Sequence, residues 1–132
     1  MNEQFNIAPN FIVKDVVESS AYYRDQLGFV HDGYSGDPPD FVIMQGLGSC
    51  IMLKSLTGVD SPCPNHKVHE DLGWDAYICV SDVGAIYQDL RLRGARIHRE
   101  IENAPYGFRD FEVQDLDGYI LCIGQYIEVV KI

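Results

Sequence analysis

The stretch Cys63-x-x-His66-x-x-His69-Glu70 gathers a thiol, two imidazoles and a carboxylate, donor types that suit zinc or a similar ion. A metal centre needs those donors on a rigid frame. The surrounding segment 55–72, S-L-T-G-V-D-S-P-C-P-N-H-K-V-H-E-D-L, is rich in Pro, Ser, Asp and His and has no hydrophobic period. It reads as a long linker, a solvated loop or mobile lid, and no metal is expected there. His31 and His98 each follow a helical stretch, and neither has a partner that spacing alone can name. Among Cys50, Cys63, Cys79 and Cys122 there is no C-x-x-C pair, and three lie in strand-like runs where a reduced thiol packs as a small hydrophobe. No Gly-rich phosphate loop and no Ser-His-Asp nucleophile signature appears.

The elements that must carry such residues are legible from periodicity. Tyr106 to Gln125 reads as a β-hairpin: Phe111 and Val113 alternate with Asp110, Glu112 and Gln114, and Asp115-Leu116-Asp117-Gly118 is the turn. Upstream, residues 6–13 predict a strand. Asp15 and Glu18 form a capping box for a helix that ends at Gly28. Residues 29–33 predict a strand, Ser35 to Pro39 a turn, and 41–45 with 50–54 a hairpin. After the linker the pattern returns. A strand over 74–80 leads to a helix capped at Ser81 or Asp82 and stopped at Gly94, then a strand over 96–100 and the Tyr106 hairpin. Val13-Lys14-Asp15-Val16 matches Val80-Ser81-Asp82-Val83, and Leu27-Gly28-Phe29 matches Arg93-Gly94-Ala95. The expected fold class is therefore α+β. Two tandem β-α-β-β-β modules, 5–54 and 73–127, are expected within a single domain spanning 1–132.

Bulk properties narrow the function classes. The 132-residue chain is 46% hydrophobic and 23% charged, globular values. A net charge of −10 argues against nucleic acid, whose phosphates need clustered Lys and Arg. No apolar run approaches the length of a membrane span, and Met1 to Asn6 has no basic-then-apolar leader, so a cytoplasmic protein is expected.

On these residues the chain resembles the vicinal oxygen chelate superfamily of glyoxalases, extradiol dioxygenases and fosfomycin and bleomycin resistance proteins. Val13–Val16, Tyr22-Tyr23, Leu27-Gly28-Phe29, Ala76–Asp82, Tyr106-Gly107-Phe108-Arg109 and Asp115–Gly118 carry the resemblance. The Tyr106–Arg109 segment is similar to the bleomycin resistance branch. The resemblance implies that the two modules form a curved mixed sheet around a cavity, and it implies a homodimer. Its metal-binding members take one ligand from the first and one from the last strand of each module. Those positions fall here on Ala8, Met52, Asp75 and Cys122. Alanine cannot ligate and a thioether suits soft ions, so no metal and no cofactor are expected.

If those four positions face the cavity, alternation adds Asn10, Ile12, Cys50, Lys54, Tyr77, Cys79, Ile120 and Gly124. The opposite face, with Phe11, Val13, Ile51, Leu53, Ile78, Leu121 and Ile123, is apolar as a helix-covered face should be. Asp110 and Glu112 share the cavity or its rim. Asp75 reads either as an anchor for a basic group or general base, or as a carboxylate that is the internal partner of Lys54 or exposed at the cavity mouth. Cys122 reads as a buried thiol. Tyr106 either stacks on a ligand or packs the hairpin base. The expected ligand-binding set is Asn10, Met52, Lys54, Asp75, Tyr77, Tyr106, Phe108, Glu112 and Cys122. The expected function is metal-independent binding of a small molecule, cationic or aromatic, such as an antibiotic. The alternative is a metal-dependent lyase, isomerase or dioxygenase with a non-standard site at Asp75 and Cys122.

Overall fold

The computed structural model describes residues 7–56 and 62–127. The first module contains β1 (Asn10–Ile12), α1 (Val16–Leu27), β2 (Tyr34–Ser35), β3 (Phe41–Gly46) and β4 (Ser49–Lys54), with sheet order β1-β4-β3-β2. After a short helix α2 (Asn65–Val68), the second module contains β5 (Ala76–Cys79), α3 (Val83–Leu92), β6 (Arg96–Asn103), β7 (Phe108–Gln114) and β8 (Ile120–Tyr126), with order β5-β8-β7-β6. Each module thus repeats the same winding: its first strand lies parallel to its last, and the remaining pairs are antiparallel. The α+β class and the tandem modules stand. The two sheets remain separate and do not close on each other.

Local chemistry explains the helices. The Asp15 carboxylate accepts from the backbone N–H of Val17 (2.8 Å) and Glu18 (3.2 Å), and Gly28 closes α1 in the left-handed region at φ +76°. Asp82 caps α3 by accepting from Ala85 N at 3.2 Å. The strand faces divide as alternation requires. Phe11, Val13, Ile51, Leu53, Ile78, Phe111, Val113, Leu121 and Ile123 are buried in one core with Tyr23, Leu27, Tyr87 and Leu90 of the helices.

Three expectations need correction. Residues 29–33 form no strand: only Val30 bridges to Gln45, and the edge strand is Tyr34–Ser35. The first strand is shorter than expected, and its expected start at Asn6 lies outside the described residues, as does 57–61 of the linker. The rest of that linker is not structureless. It contains α2 and a 3-10 turn over Glu70–Leu72. Hydrophobic period could not reveal them, because they are held by polar contacts. Asn65 N donates to Asp75 Oδ1 (2.7 Å), and His66 Nε2 meets the Gly118 carbonyl at 2.8 Å.

The modules are joined by tyrosines. Tyr23 on α1 donates to Asp115 Oδ2 in the β7–β8 turn (2.7 Å), and Tyr22 donates to the Gln114 carbonyl (2.8 Å) while accepting from Arg96 N (3.0 Å). Tyr119 stacks on Phe11 at 4.2 Å and donates to the Ile12 carbonyl at 2.7 Å. Asp115 is fully buried. Burial pushes its pKa up to about 7, against the opposing pull of Tyr23 and the Tyr119 and Asp117 N–H groups. A raised folded value means the native state holds the proton more tightly than the unfolded chain. The stability this group contributes is therefore complete below about pH 4 and is lost as pH rises through about 7. Urea midpoints of Asp115→Asn and the parent should diverge in the variant's favour between pH 5 and 8. A pH-independent difference would exclude this protonation.

Candidate functional site

The face of the second sheet turned away from the helices carries a line of polar side chains that crosses all four strands. It starts on β6. Ile97 pairs with Val113 and Arg99 with Glu112, so two residues of β6 advance against one of β7; between Arg99 and Glu102, three advance against two. Each extra residue is a β-bulge, which resets the side-chain alternation. Ile97 and Ile101 stay against the core, while His98 and Arg99 both reach Glu112. His98 Nδ1 lies 2.9 Å from Glu112 Oε1, and Arg99 Nε donates to Glu112 Oε2 at 3.1 Å. Arg99 Nη2 donates to Asp110 Oδ1 at 2.5 Å, and Nη1 donates to Glu102 at 2.9 Å.

Asp110 is fully buried at the centre of this line. Tyr77 on β5 donates to its Oδ2 at 2.9 Å, and Tyr106 donates to the same oxygen. Tyr77 can reach across β8 only because Gly124 lies between. A Cβ there would stand 2.7 Å from Tyr77 Cζ and 2.9 Å from Asp110 Cβ. Burial pushes the Asp110 carboxyl up, but the hydrogen bonds of Tyr106, Arg99 and Tyr77 outweigh it and hold the group below its ordinary value. Burial also pulls the Arg99 guanidinium down, and Asp110 and Glu112 more than reverse that. The Tyr77 and Tyr106 hydroxyls are pushed up by burial and by Asp110. Cys122 is completely buried beside them, its thiol pushed up by burial and by Asp110, so it holds its proton and is a poor nucleophile.

Above the carboxylate sit aromatic rings. Trp74 contacts Tyr77 (5.3 Å) and Tyr106 (6.5 Å); Phe108 contacts Tyr77 (5.5 Å) and Tyr106 (6.0 Å). With Cys79 they line an open apolar pocket of about 290 Å³. A second space, a cleft of about 490 Å³, runs between the edge strands of the two sheets, with Ala8 and Cys50 on one side and Asp75 and Tyr77 on the other.

The residues named from the sequence therefore fall into two groups. Tyr77, Tyr106, Phe108, Glu112 and Cys122 come together on the second sheet. Asn10 and Met52 pair across β1 and β4 on the first sheet, apart from that cluster. Lys54 pairs with Asp40 at 3.1 Å, so the Asp75–Lys54 contact is not formed. Asp75 is committed to the backbone, accepting from Asn65 N (2.7 Å) and Ile120 N (2.8 Å). Its two oxygens fix the linker to β8, which explains a carboxylate at the edge of an apolar strand without a ligand or a base. His98 does have a partner, Glu112. Trp74 and Arg99 were not among the expected residues. Arg99 had a signal: strict alternation from Ile97 to Ile101 would push a guanidinium into the core, and only a bulge removes that conflict.

The metal positions implied by the resemblance do not fit a metal. Ala8 has no donor, Met52 is a thioether, and both Asp75 oxygens are taken by backbone N–H groups. Cys122 keeps its proton, with the Arg99 guanidinium 3.9 Å from its sulfur. In the linker, His66 engages Gly118 and His69 caps the 3-10 turn through Asp71 N. Among the described residues no three His, Cys, Asp or Glu side chains gather as ligands.

Comparison with known proteins places this architecture. The structure superposes on TioX from Micromonospora sp. ML1 with a TM-score of 0.70 at 17% identity, covering 92% of this chain and 98% of that one. A glyoxalase/bleomycin resistance protein/dioxygenase from Alicyclobacillus acidocaldarius gives a TM-score of 0.73 at 15% identity, covering 97% and 96%. A bleomycin-binding protein solved in complex with bleomycin gives 0.68 at 20% identity, covering 91% and 97%. No curated protein matches the sequence. The sequence profile of one family matches residues 7–123, nearly the whole of both modules. With the repeated winding and the shared fold, this match shows that the chain belongs to the Glyoxalase/Bleomycin resistance protein/Dioxygenase superfamily.

Proposed function

We propose that the protein binds a small organic molecule on the helix-free face of the sheet in its second module, without a metal, and acts by sequestration. One observation carries the reading: an apolar pocket of about 290 Å³ is walled by Trp74, Tyr77, Tyr106 and Phe108 and backed by buried charged groups. Binding sites are commonly apolar surfaces with a few placed polar groups. Rings whose hydroxyls are tied to a buried carboxylate are pre-oriented, so a ligand loses little affinity to ordering them. The neighbour complexed with bleomycin shows that this fold can hold an antibiotic. Cationic and aromatic compounds are the classes this face suits, given the net charge of −10. The homodimer implied by the resemblance belongs to the same reading.

Trp74 is the sole tryptophan of the chain, so its fluorescence reports the pocket directly. Titration with amine-bearing antibiotics and aromatic metabolites should give a saturable change for at least one compound, with a matching rise in melting temperature. Phe108→Ala should weaken that binding by about tenfold, the loss of one ring's burial. A response that never saturates across the panel would refute the reading.

A further inference from the structure

We propose that the four rings of Trp74, Tyr77, Tyr106 and Phe108 form a cage for an alkylated ammonium group. This rests on the ligand-binding reading above and names the chemical class that the site takes.

The tilts of the rings against one another suit a compact occupant. No adjacent pair in this set is parallel: the interplanar angles are 67° for Trp74–Tyr77, 85° for Tyr77–Phe108, 46° for Phe108–Tyr106 and 67° for Tyr106–Trp74. The contacts run round a closed circuit, at centroid separations of 5.3 to 6.5 Å. A compact, roughly spherical group meets such walls better than a flat one. A cation attracted to several ring faces at once is the familiar case.

Charge favours the same occupant. Asp110, bonded to two of the ring hydroxyls, is linked through the Arg99 guanidinium to two further carboxylates, Glu112 and the exposed Glu102. The three carboxylates and the guanidinium together carry a net charge of −3 + 1 = −2. Tyr77 and Tyr106 both donate to the Asp110 carboxylate. A phenol that donates to an anion gains electron density in its ring, which strengthens attraction to a cation.

The same hydrogen bonds decide between a bare and an alkylated ammonium. The hydroxyls of Tyr77 and Tyr106 are spent on Asp110, and the pocket wall is otherwise carbon and the Cys79 sulfur. A primary ammonium would leave its water partners without replacement, at a desolvation cost. A trimethylammonium has no N–H to satisfy and presents methyl groups to the rings.

The test compares choline with 3,3-dimethylbutan-1-ol, its neutral carbon isostere, and with quinoline, a flat ring that is neutral at pH 7.5. Binding is followed by Trp74 fluorescence and by calorimetry. Choline should bind about tenfold more tightly than the isostere. Tyr106→Phe keeps the ring and removes one donor to Asp110, so it should reduce that preference, read as the ratio of the two affinities, several-fold. Equal affinity for choline and the isostere, or saturable binding of quinoline alone, would overturn the cation class and leave small-molecule binding standing. Absence of saturable binding for all three, together with the failed antibiotic panel, would overturn both.

Discussion

Gly124→Ala is expected to destabilise the protein by about 2–4 kcal/mol, as overpacking adds to a lost buried hydrogen bond. Gly124 does not have a positive φ, so the glycine is there for space. The added methyl would press on the end of the Tyr77 side chain, 2.7 Å from Cζ, and on Asp110 Cβ at 2.9 Å. Neither neighbour can yield cheaply. Tyr77 is anchored through its hydroxyl and held between Trp74 and Phe108, and Asp110 is fully buried on a central strand. Ejecting Tyr77 would cut its bond to Asp110 and open the pocket wall together. A double-mutant cycle in urea checks the cause. In a Tyr77→Ala background the same substitution should cost about 1 kcal/mol, the lower end of overpacking. Equal costs in the two backgrounds would rule out this collision.

Arg99→Met should cost still more, about 3–5 kcal/mol, the range for removing one partner of a buried ion pair. Methionine replaces the aliphatic stem but leaves Asp110 and Glu112, one fully and one almost fully buried, without the guanidinium that they share. The pH dependence identifies the mechanism. In the parent, the lowered Asp110 value contributes stability that is present above the unfolded value, about 3.9, and is lost as pH falls through the folded one. Without the guanidinium only Tyr106 and Tyr77 oppose the upward push of burial, so the variant's Asp110 value lies above the parent's and the variant loses less stability on protonation. The gap between variant and parent should therefore narrow as pH falls from 7 to 4.5. Taking the gap removes the opposite trend of Asp115, which is common to both proteins. A gap that stays constant over that interval would mean Arg99 acts through packing alone.

Much of this architecture was legible before the structure. The hairpin, the Asp15 and Asp82 caps and the tandem repeat rest on local chemistry, and local chemistry is written in neighbouring residues. The apolar face was legible because alternation holds along β1, β4, β5, β7 and β8. What escaped detection depended on events between strands. His98 and Arg99 share a face only because β6 bulges twice against β7. The roles of Asp75 and Lys54 were set by backbone N–H groups and by Asp40, partners distant in sequence. Helix α2 is held by Asp75 and Gly118, and so left no mark in the hydrophobic period of its own segment.

Gly124 also has a consequence for how the chain finds its fold. A strand displaced by two residues keeps every side chain on its proper face, so alternation alone does not forbid such a slip. Along β8 the face turned away from the helices offers Ile120, Cys122, Gly124 and Tyr126 in turn, and only one of these is empty. Displaced by two either way, β8 would put a cysteine or a tyrosine side chain beneath the Tyr77 hydroxyl, and Asp110 would lose its reach to β5. The gap at Gly124 thus marks a single alignment of β5, β8 and β7 as correct, information that the repeating backbone ladder does not contain.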